Sequence, residues 1–245
     1  MTISNESRGR IKKVFEPIAL GMGRLGLTPD GLTLIGFGIT VVGAGLLAAQ
    51  LWLVGGIVVF IGGAFDMFDG TLARATGKVS PLGAFMDSVF DRWGEAIVYL
   101  GIAWGAVQPA TSAIAIGGTA GGADTVAVLA TAALGAAFMV SYTRAKSEGL
   151  GFTAGTGMAA IGVMPREIRL VVLSLGLIMA GLLGMSPDQI APCGNLFCVD
   201  APFRSGIGVL ELALAIIAIG SIITVIQRIL HVRSQARSAA TTTTR

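Results

Sequence analysis

Charged residues are scarce in this chain of 245 residues. Only 13% of its residues are Asp, Glu, Lys or Arg, whereas hydrophobic residues make up 53% and the mean hydropathy is +0.80. A soluble domain carries about a quarter charged residues. The composition therefore excludes a separate soluble domain and predicts a polytopic membrane protein that forms one bundle.

Histidine and cysteine are also few, with one histidine and two cysteines in the whole chain. Cys193 and Cys198 lie in one predicted loop, and such a pair without nearby histidine or further cysteine is too small for a zinc site. They are either two free thiols or a local disulfide, which requires an oxidising compartment. We expect His231, in the basic C-terminal stretch, to be a solvated surface residue.

Six apolar stretches each come near the length of about 20 residues that a membrane helix needs. They cover residues 32–50, 51–72, 82–107, 125–144, 168–183 and 207–229. The preceding segment, residues 1–30, is basic and amphipathic, which predicts a helix on the membrane surface. We therefore expect an all-α fold with a six-helix domain over residues 31–233 and a disordered tail over residues 234–245.

The net charge of +3 and the pI of 9.2 could suggest a surface that binds nucleic acid. The distribution of the basic residues along the chain indicates a membrane topology instead. Among the 17 Lys and Arg residues, only Arg204 falls outside the segments that six spans would place on one side. Because cytoplasmic loops carry an excess of Lys and Arg, both termini are predicted to be cytoplasmic. The sequence thus predicts a multi-pass protein of the cell membrane, with the lipid bilayer and no nucleic acid as its partner.

Four aspartates interrupt the apolar pattern at the second and third predicted spans. Asp66 and Asp69 are three residues apart, and Asp87 and Asp91 are four apart, so each pair shares one helix face. A short connection makes the two helices antiparallel neighbours. Four carboxylates that converge within a membrane segment need cations, and Mg²⁺ or Mn²⁺ prefers such oxygen ligands. The spacing predicts a site for two metal ions near the cytoplasmic face, an arrangement suited to phosphoryl transfer.

An ion transporter is the alternative interpretation of these acids. A transporter more often distributes its acids over several helices near the bilayer midplane. Here they lie on two adjacent helices near one face, and Arg74 and Arg92 are too few to neutralise them in a purely structural cluster. The spacing therefore favours an enzyme.

The aspartate region resembles the signature of the CDP-alcohol phosphotransferase family at every fixed position and gap. The matching residues read Asp66-x2-Asp69-Gly70-x2-Ala73-Arg74-x8-Gly83-x3-Asp87-x3-Asp91. The resemblance implies a six-helix membrane enzyme, usually a homodimer, with its active site on the cytoplasmic side. Such enzymes transfer a phosphate-linked group from a CDP-linked donor to an alcohol and release CMP.

The same resemblance implies roles for individual residues. The metal ligands would be Asp66, Asp69, Asp87 and Asp91, with Asp87 shared between two ions and Asp91 acting as general base on the acceptor hydroxyl. The residues that bind CDP would be Asp66, Asp69, Gly70, Ala73, Arg74, Gly83 and Asp87. These residue types suit the roles, because a ligand can approach the backbone at glycine and arginine can bind a phosphate through two hydrogen bonds.

Outside the signature, the chain resembles actinobacterial-type phosphatidylinositol phosphate synthases at residues 26–33, 141–150, 166–169 and 226–228. It departs from them at Ile168, where an acid usually precedes the second arginine. The resemblance implies four ligands for the acceptor phosphate: Arg144, Lys146, Arg166 and Arg228. A phosphorylated polyol needs such a basic cluster and a neutral alcohol does not.

The resulting prediction is transfer from CDP-diacylglycerol to inositol 1-phosphate. Glycerol 3-phosphate is the nearest alternative acceptor, followed by free inositol or serine. The other basic residues of these segments, Arg169, Arg233 and Arg237, are expected to serve only topology. On the first predicted span, Gly36, Gly38, Gly43 and Gly45 are candidates for a helix-packing face.

Overall fold

Helices account for all the regular structure in the parts of the chain that the computed structural model describes, residues 16–108, 120–152, 161–184 and 206–243. The first helix, α1, covers residues 16–24. The others are α2 Pro29–Ala48, α3 Trp52–Ala75, α4 Pro81–Val107, α5 Ala120–Gly149, α6 Arg166–Leu183 and α7 Gly206–Thr243. The chain forms two compact units, Met1–Gln108 and Pro109–Arg245. The all-α prediction is confirmed for the described residues, whereas Cys193 and Cys198 lie outside them.

Four of the described helices, α2, α3, α5 and α7, are long and apolar enough to cross a membrane. The other two predicted spans correspond to α4 and α6, which carry more charge. α4 carries Asp87, Asp91, Arg92 and Glu95, and α6 begins with Arg166 and Glu167. The multi-pass character is thus confirmed, while the count of six spans and the orientation stay predictions.

The C-terminal stretch departs from the sequence prediction, because α7 continues to Thr243. Residues 234–243 were expected to belong to a disordered tail, and the structure has them as helix. Alanine is frequent here, and it is the residue with the highest intrinsic helix propensity.

In the first unit, α2 packs against both α3 and α4 through glycine. A Cβ atom at Gly43 would lie 2.8 Å from Val59 Cγ2, and one at Gly55 would lie 2.7 Å from Leu47 Cδ2. Of the four glycines considered for this face, Gly36 and Gly43 pack closely, whereas Gly38 and Gly45 face open space. Residues seven apart share a face and residues two apart do not, so only one of the two glycine pairs can form the contact.

These two environments predict opposite effects of alanine at Gly43 and Gly45. Gly43→Ala is expected to destabilise the protein by about 1–3 kcal/mol because the added methyl overpacks the contact with Val59. Gly45→Ala should be neutral or stabilising by up to about 1 kcal/mol, since alanine is the better helix former. Melting temperatures of the two variants in detergent measure this contrast, and equal shifts would contradict the close α2–α3 contact.

α1 packs against the same unit. Ala19 is fully buried and forms a small hydrophobic cluster with Leu32 of α2 and Leu72 of α3. Ile18 and Leu25 remain exposed. The described part of the N-terminal segment is therefore docked on the bundle by one face, and its position on a membrane surface stays a prediction.

In the second unit, α7 packs against both α5 and α6. Its buried Thr224 hydroxyl accepts a hydrogen bond from the Met164 N–H at 2.9 Å, just before α6 begins. Gly162, at φ +126°, lies directly against the side chain of Thr224. The non-helical residues 161–165 are thus held on the surface of α7.

Candidate active site

The signature aspartates lie on α3 and α4, on either side of the connection formed by residues 76–80. Ser80 fixes the start of α4, because its Oγ accepts a hydrogen bond from the Gly83 N–H at 2.9 Å. Pro81 then occupies the first turn, where its missing N–H costs nothing. This start sets the register of α4, and Asp87 and Asp91 follow on one face of it.

Asp69 is the most buried of the four aspartates, with 5% of its surface exposed. Its Oδ2 accepts a hydrogen bond of 2.5 Å from the hydroxyl of Thr33 on α2. Its Oδ1 accepts a hydrogen bond from the backbone N–H of Gly70. Two helices, α2 and α3, therefore hold this one side chain by hydrogen bonds to both of its oxygens.

Asp66 is half-buried and lies against a glycine of α2. Its Oδ1 is 3.1 Å from the point that a Cβ atom of Gly36 would occupy. A side chain at position 36 would push against this carboxylate. Thr33 and Gly36 are three residues apart on one face of α2 and contact Asp69 and Asp66 respectively, a relation that sequence analysis missed. The signal was the polar Thr33 beside a tightly packed glycine face.

Asp91 is half-buried and forms an ion pair with its neighbour Arg92, with 3.5 Å between Oδ2 and Nη2. Arg92 also pairs with Glu95, again at 3.5 Å. The predicted general base thus belongs to a charged row on α4 that consists of Asp91, Arg92 and Glu95.

The predicted CDP-binding residues lie near the end of α3 and the beginning of α4. Arg74 is exposed and folds back along α3, so its Nη1 lies 3.3 Å from the Cβ position of Gly70. Ala73, beside Arg74, is half-buried. The Cβ position of Gly83 lies 3.2 Å from Oδ1 of Asp30, which belongs to the first turn of α2. Both glycines therefore give room to a charged side chain.

The donor set tests whether a metal ion suits these residues. Four carboxylates on α3 and α4, which are consecutive in the chain and both pack on α2, supply the hard oxygen ligands that Mg²⁺ and Mn²⁺ prefer. Within the described ranges, however, no three acidic, histidine or cysteine side chains are grouped so that they could hold one ion. The side chains have other partners, Thr33 for Asp69 and Arg92 for Asp91. The chemistry of the set fits a divalent cation, although the predicted convergence of all four carboxylates is not seen.

The predicted acceptor ligands have differing environments within the second unit. Arg144 is exposed and pairs with Glu148 one turn later, at 2.9 Å. Lys146 is exposed, and Arg166 is half-buried at the start of α6. Arg228 is only 4% exposed. Its Nε donates to the Ile161 carbonyl at 3.1 Å, and its Nη1 donates to the Val140 carbonyl.

Arg169 corrects a second expectation. It was assigned only a topological role, but it is 2% exposed and donates from Nη1 to the Met164 carbonyl at 3.1 Å. The Pro165 carbonyl accepts the Arg169 N–H as the first bond of α6, whereas the Met164 carbonyl precedes the N-cap and lies outside the helix, so the buried arginine supplies its donor.

Comparison with known proteins decides the family. The model of the CDP-alcohol phosphatidyltransferase family matches residues 26–233, which include every predicted site residue. The chain belongs to the CDP-alcohol phosphatidyltransferase family. It is accordingly a multi-pass membrane transferase of phospholipid biosynthesis, and the enzyme prediction is confirmed over the ion-transporter alternative.

Curated relatives of this phosphatidyltransferase cover most of its length. It is 30% identical over 242 residues to the phosphatidylinositol phosphate synthase of Streptomyces avermitilis, covering 97% of this chain and 85% of that one. It is 33% identical over 168 residues to the archaetidylinositol phosphate synthase of Pyrococcus horikoshii, covering 68% and 77% of the two chains.

A solved structure of the family has the same fold. The phosphatidylinositol phosphate synthase of Mycobacterium tuberculosis with CDP-DAG bound superposes with a TM-score of 0.66 at 27% identity, covering 90% of this phosphatidyltransferase and 94% of that chain. The same enzyme in complex with manganese and citrate also gives 0.66, with 89% and 88% covered.

Proposed function

We propose that this phosphatidyltransferase moves a phosphatidyl group from CDP-diacylglycerol to inositol 1-phosphate, giving phosphatidylinositol phosphate and CMP. The observation that carries the proposal is the placement of the four signature aspartates on α3 and α4, on either side of one short connection, with Asp69 buried and the other three half-buried. Carboxylates placed in this way suit a site that handles a diphosphate together with divalent cations. The relatives named above make CDP-DAG the best-supported donor and a phosphorylated inositol the best-supported acceptor.

The metal ligands in this proposal are Asp66, Asp69, Asp87 and Asp91, holding two Mg²⁺ or Mn²⁺ ions. When bound, the ions would neutralise the diphosphate of the donor and the charge that develops on the departing CMP. The carboxylate chemistry supports this assignment, and so does the manganese complex of the Mycobacterium tuberculosis enzyme.

The donor is bound by residues of α3 and α4 in this mechanism. Asp66, Asp69, Gly70, Ala73, Arg74, Gly83 and Asp87 would hold the CDP moiety. Arg74 is suited to a phosphate because its guanidinium is exposed, with planar donors that match phosphate oxygens. Gly70 and Gly83 let the donor approach the helix backbone.

Asp91 is the proposed general base. Its carboxylate removes the proton of the acceptor hydroxyl, whose oxygen then attacks the β-phosphorus of the donor. The new P–O bond forms as the bond between that phosphorus and CMP breaks, and the proton remains on Asp91. Arg92, at 3.5 Å, would orient the carboxylate through the ion pair.

The acceptor phosphate would be bound by Arg144, Lys146, Arg166 and Arg228. Two of these side chains, Arg144 and Lys146, are exposed near the end of α5. In addition to this proposed role, Arg228 holds two backbone carbonyls within the second unit. We also propose that the chain crosses the cell membrane six times, with both termini and the active site on the cytoplasmic side. The N-terminal helix would lie on the membrane surface, and two copies of the chain would form a homodimer.

A panel of acceptors tests the proposed substrate. The purified protein in detergent is given CDP-diacylglycerol, Mg²⁺ and one of inositol 1-phosphate, glycerol 3-phosphate, inositol or serine, and CMP release and the lipid product are measured. We expect release with inositol 1-phosphate well above the other three. Preference for glycerol 3-phosphate would make that compound the acceptor in place of inositol 1-phosphate. Preference for an unphosphorylated alcohol would refute the role of the four basic residues.

A further inference from the structure

We propose that Thr33 of α2 is a positioning residue that holds the Asp69 carboxylate in the orientation needed for metal binding. The inference rests on the proposed function, in which Asp69 is a metal ligand. Thr33 lies outside the aspartate signature, and its hydroxyl contacts Asp69 directly, 36 positions along the chain.

The hydrogen bond itself is strong by its geometry. At 2.5 Å between Thr33 Oγ1 and Asp69 Oδ2, it falls in the range of a hydroxyl bonded to an ionised carboxylate. Thr33 is 6% exposed and Asp69 is 5% exposed, so little water can replace either partner. A buried carboxylate must be hydrogen-bonded to remain charged at low cost.

Both oxygens of Asp69 are engaged, and this determines the direction of the carboxylate plane. The Gly70 N–H binds Oδ1 from the same helix, while Thr33 binds Oδ2 from another helix. The terminal torsion of an aspartate is otherwise broad. Thr33 Oγ1 also lies 3.3 Å from the Pro29 carbonyl one turn earlier, the contact that a helical threonine can make, and the same rotamer reaches Asp69.

Hydrophobic contacts beside this hydrogen bond hold α2 and α3 together. Leu32, next to Thr33, and Leu72, one turn after Asp69, are both fully buried with Ala19 of α1. The hydrophobic cluster thus stabilises the α2–α3 approach that the hydrogen bond requires.

The test compares Thr33→Val, Thr33→Ser, Thr40→Val and Asp69→Ala. Valine keeps the shape of threonine and removes the hydroxyl, whereas serine keeps the hydroxyl. Thr40 is a matched control on the same helix, since its hydroxyl donates to the Gly36 carbonyl at 2.9 Å. Mn²⁺ affinity is measured without substrate, by the electron paramagnetic resonance signal of free Mn²⁺, together with kcat, KM and melting temperature.

We expect Thr33→Val to weaken Mn²⁺ binding by about 10- to 100-fold, the usual effect of removing a residue that orients a metal ligand. Thr33→Ser should recover most of the affinity, and Thr40→Val should bind Mn²⁺ like the unmodified protein. Thr33→Ala carries the same expectation and replaces Thr33→Val if the valine variant does not fold.

Unchanged Mn²⁺ affinity in a folded Thr33→Val or Thr33→Ala protein, with Asp69→Ala defective, would overturn the positioning role and leave the proposed metal site intact. If Asp69→Ala itself binds Mn²⁺ normally, the metal role of Asp69 in the proposed function fails instead. Equal losses in Thr33→Val and Thr40→Val would also overturn the inference, because the effect would then belong to the helix as a whole.

Discussion

Replacing Asp91 with asparagine is expected to slow CMP release from CDP-diacylglycerol by about 100- to 10,000-fold, the range of a lost general base. Asparagine keeps the size of the side chain and cannot accept the proton of the acceptor hydroxyl. The defect should appear mainly in kcat at saturating inositol 1-phosphate. Steady-state CMP release in detergent with Mg²⁺ measures it.

Glu95→Gln is the matched control for this experiment. Glu95 lies one turn further along α4 and pairs with the same Arg92 at 3.5 Å. Because Glu95 lies outside the signature and has no proposed part in proton transfer, the control should retain most of the rate. A rate close to normal in Asp91→Asn would refute the base. An equal loss in both variants would assign the effect to the charged row around Arg92.

The sequence could predict the part of the site that is local along the chain. Asp87 and Asp91 share a face of α4 simply because they are one helical turn apart, and α3 and α4 are joined by a short connection. The family signature covers these two helices, so its residues could be read directly. The contribution of α2 could not, since Thr33 meets Asp69 only after α2 has packed against α3 through Gly36 and Gly43.

The basic residues show a second limit of sequence analysis. A lysine or arginine near a predicted span was interpreted either as a topology signal or as a phosphate ligand. The structure adds a third use, because Arg169 and Arg228 are buried and donate to the carbonyls of Met164 and Ile161. Non-helical backbone in an apolar protein needs such donors. No sequence pattern shows which carbonyls lack a helical partner.

The buried position of Arg228 leads to a large expected effect on stability. Replacing it with methionine should lower the free energy of unfolding by about 2–5 kcal/mol, since the buried guanidinium donates to the carbonyls of Val140 and Ile161 and both bonds are lost. Methionine approximates the apolar stem of arginine, so the loss reports mainly on these hydrogen bonds. The melting temperature in detergent, read by size-exclusion chromatography after heating, measures the change.

Arg144→Met separates this structural role from acceptor binding. Arg144 is exposed and pairs only one turn along α5 with Glu148, so its loss should change stability by less than about 1 kcal/mol. If both arginines bind the acceptor phosphate, both variants raise the KM for inositol 1-phosphate, and only Arg228→Met also melts early. Normal melting of Arg228→Met would contradict a stabilising role for its hydrogen bonds to the carbonyls of Val140 and Ile161. A raised KM in Arg144→Met would report on acceptor binding, because the exposed guanidinium forms only a weak ion pair with Glu148. An unchanged KM would remove that residue from the acceptor site.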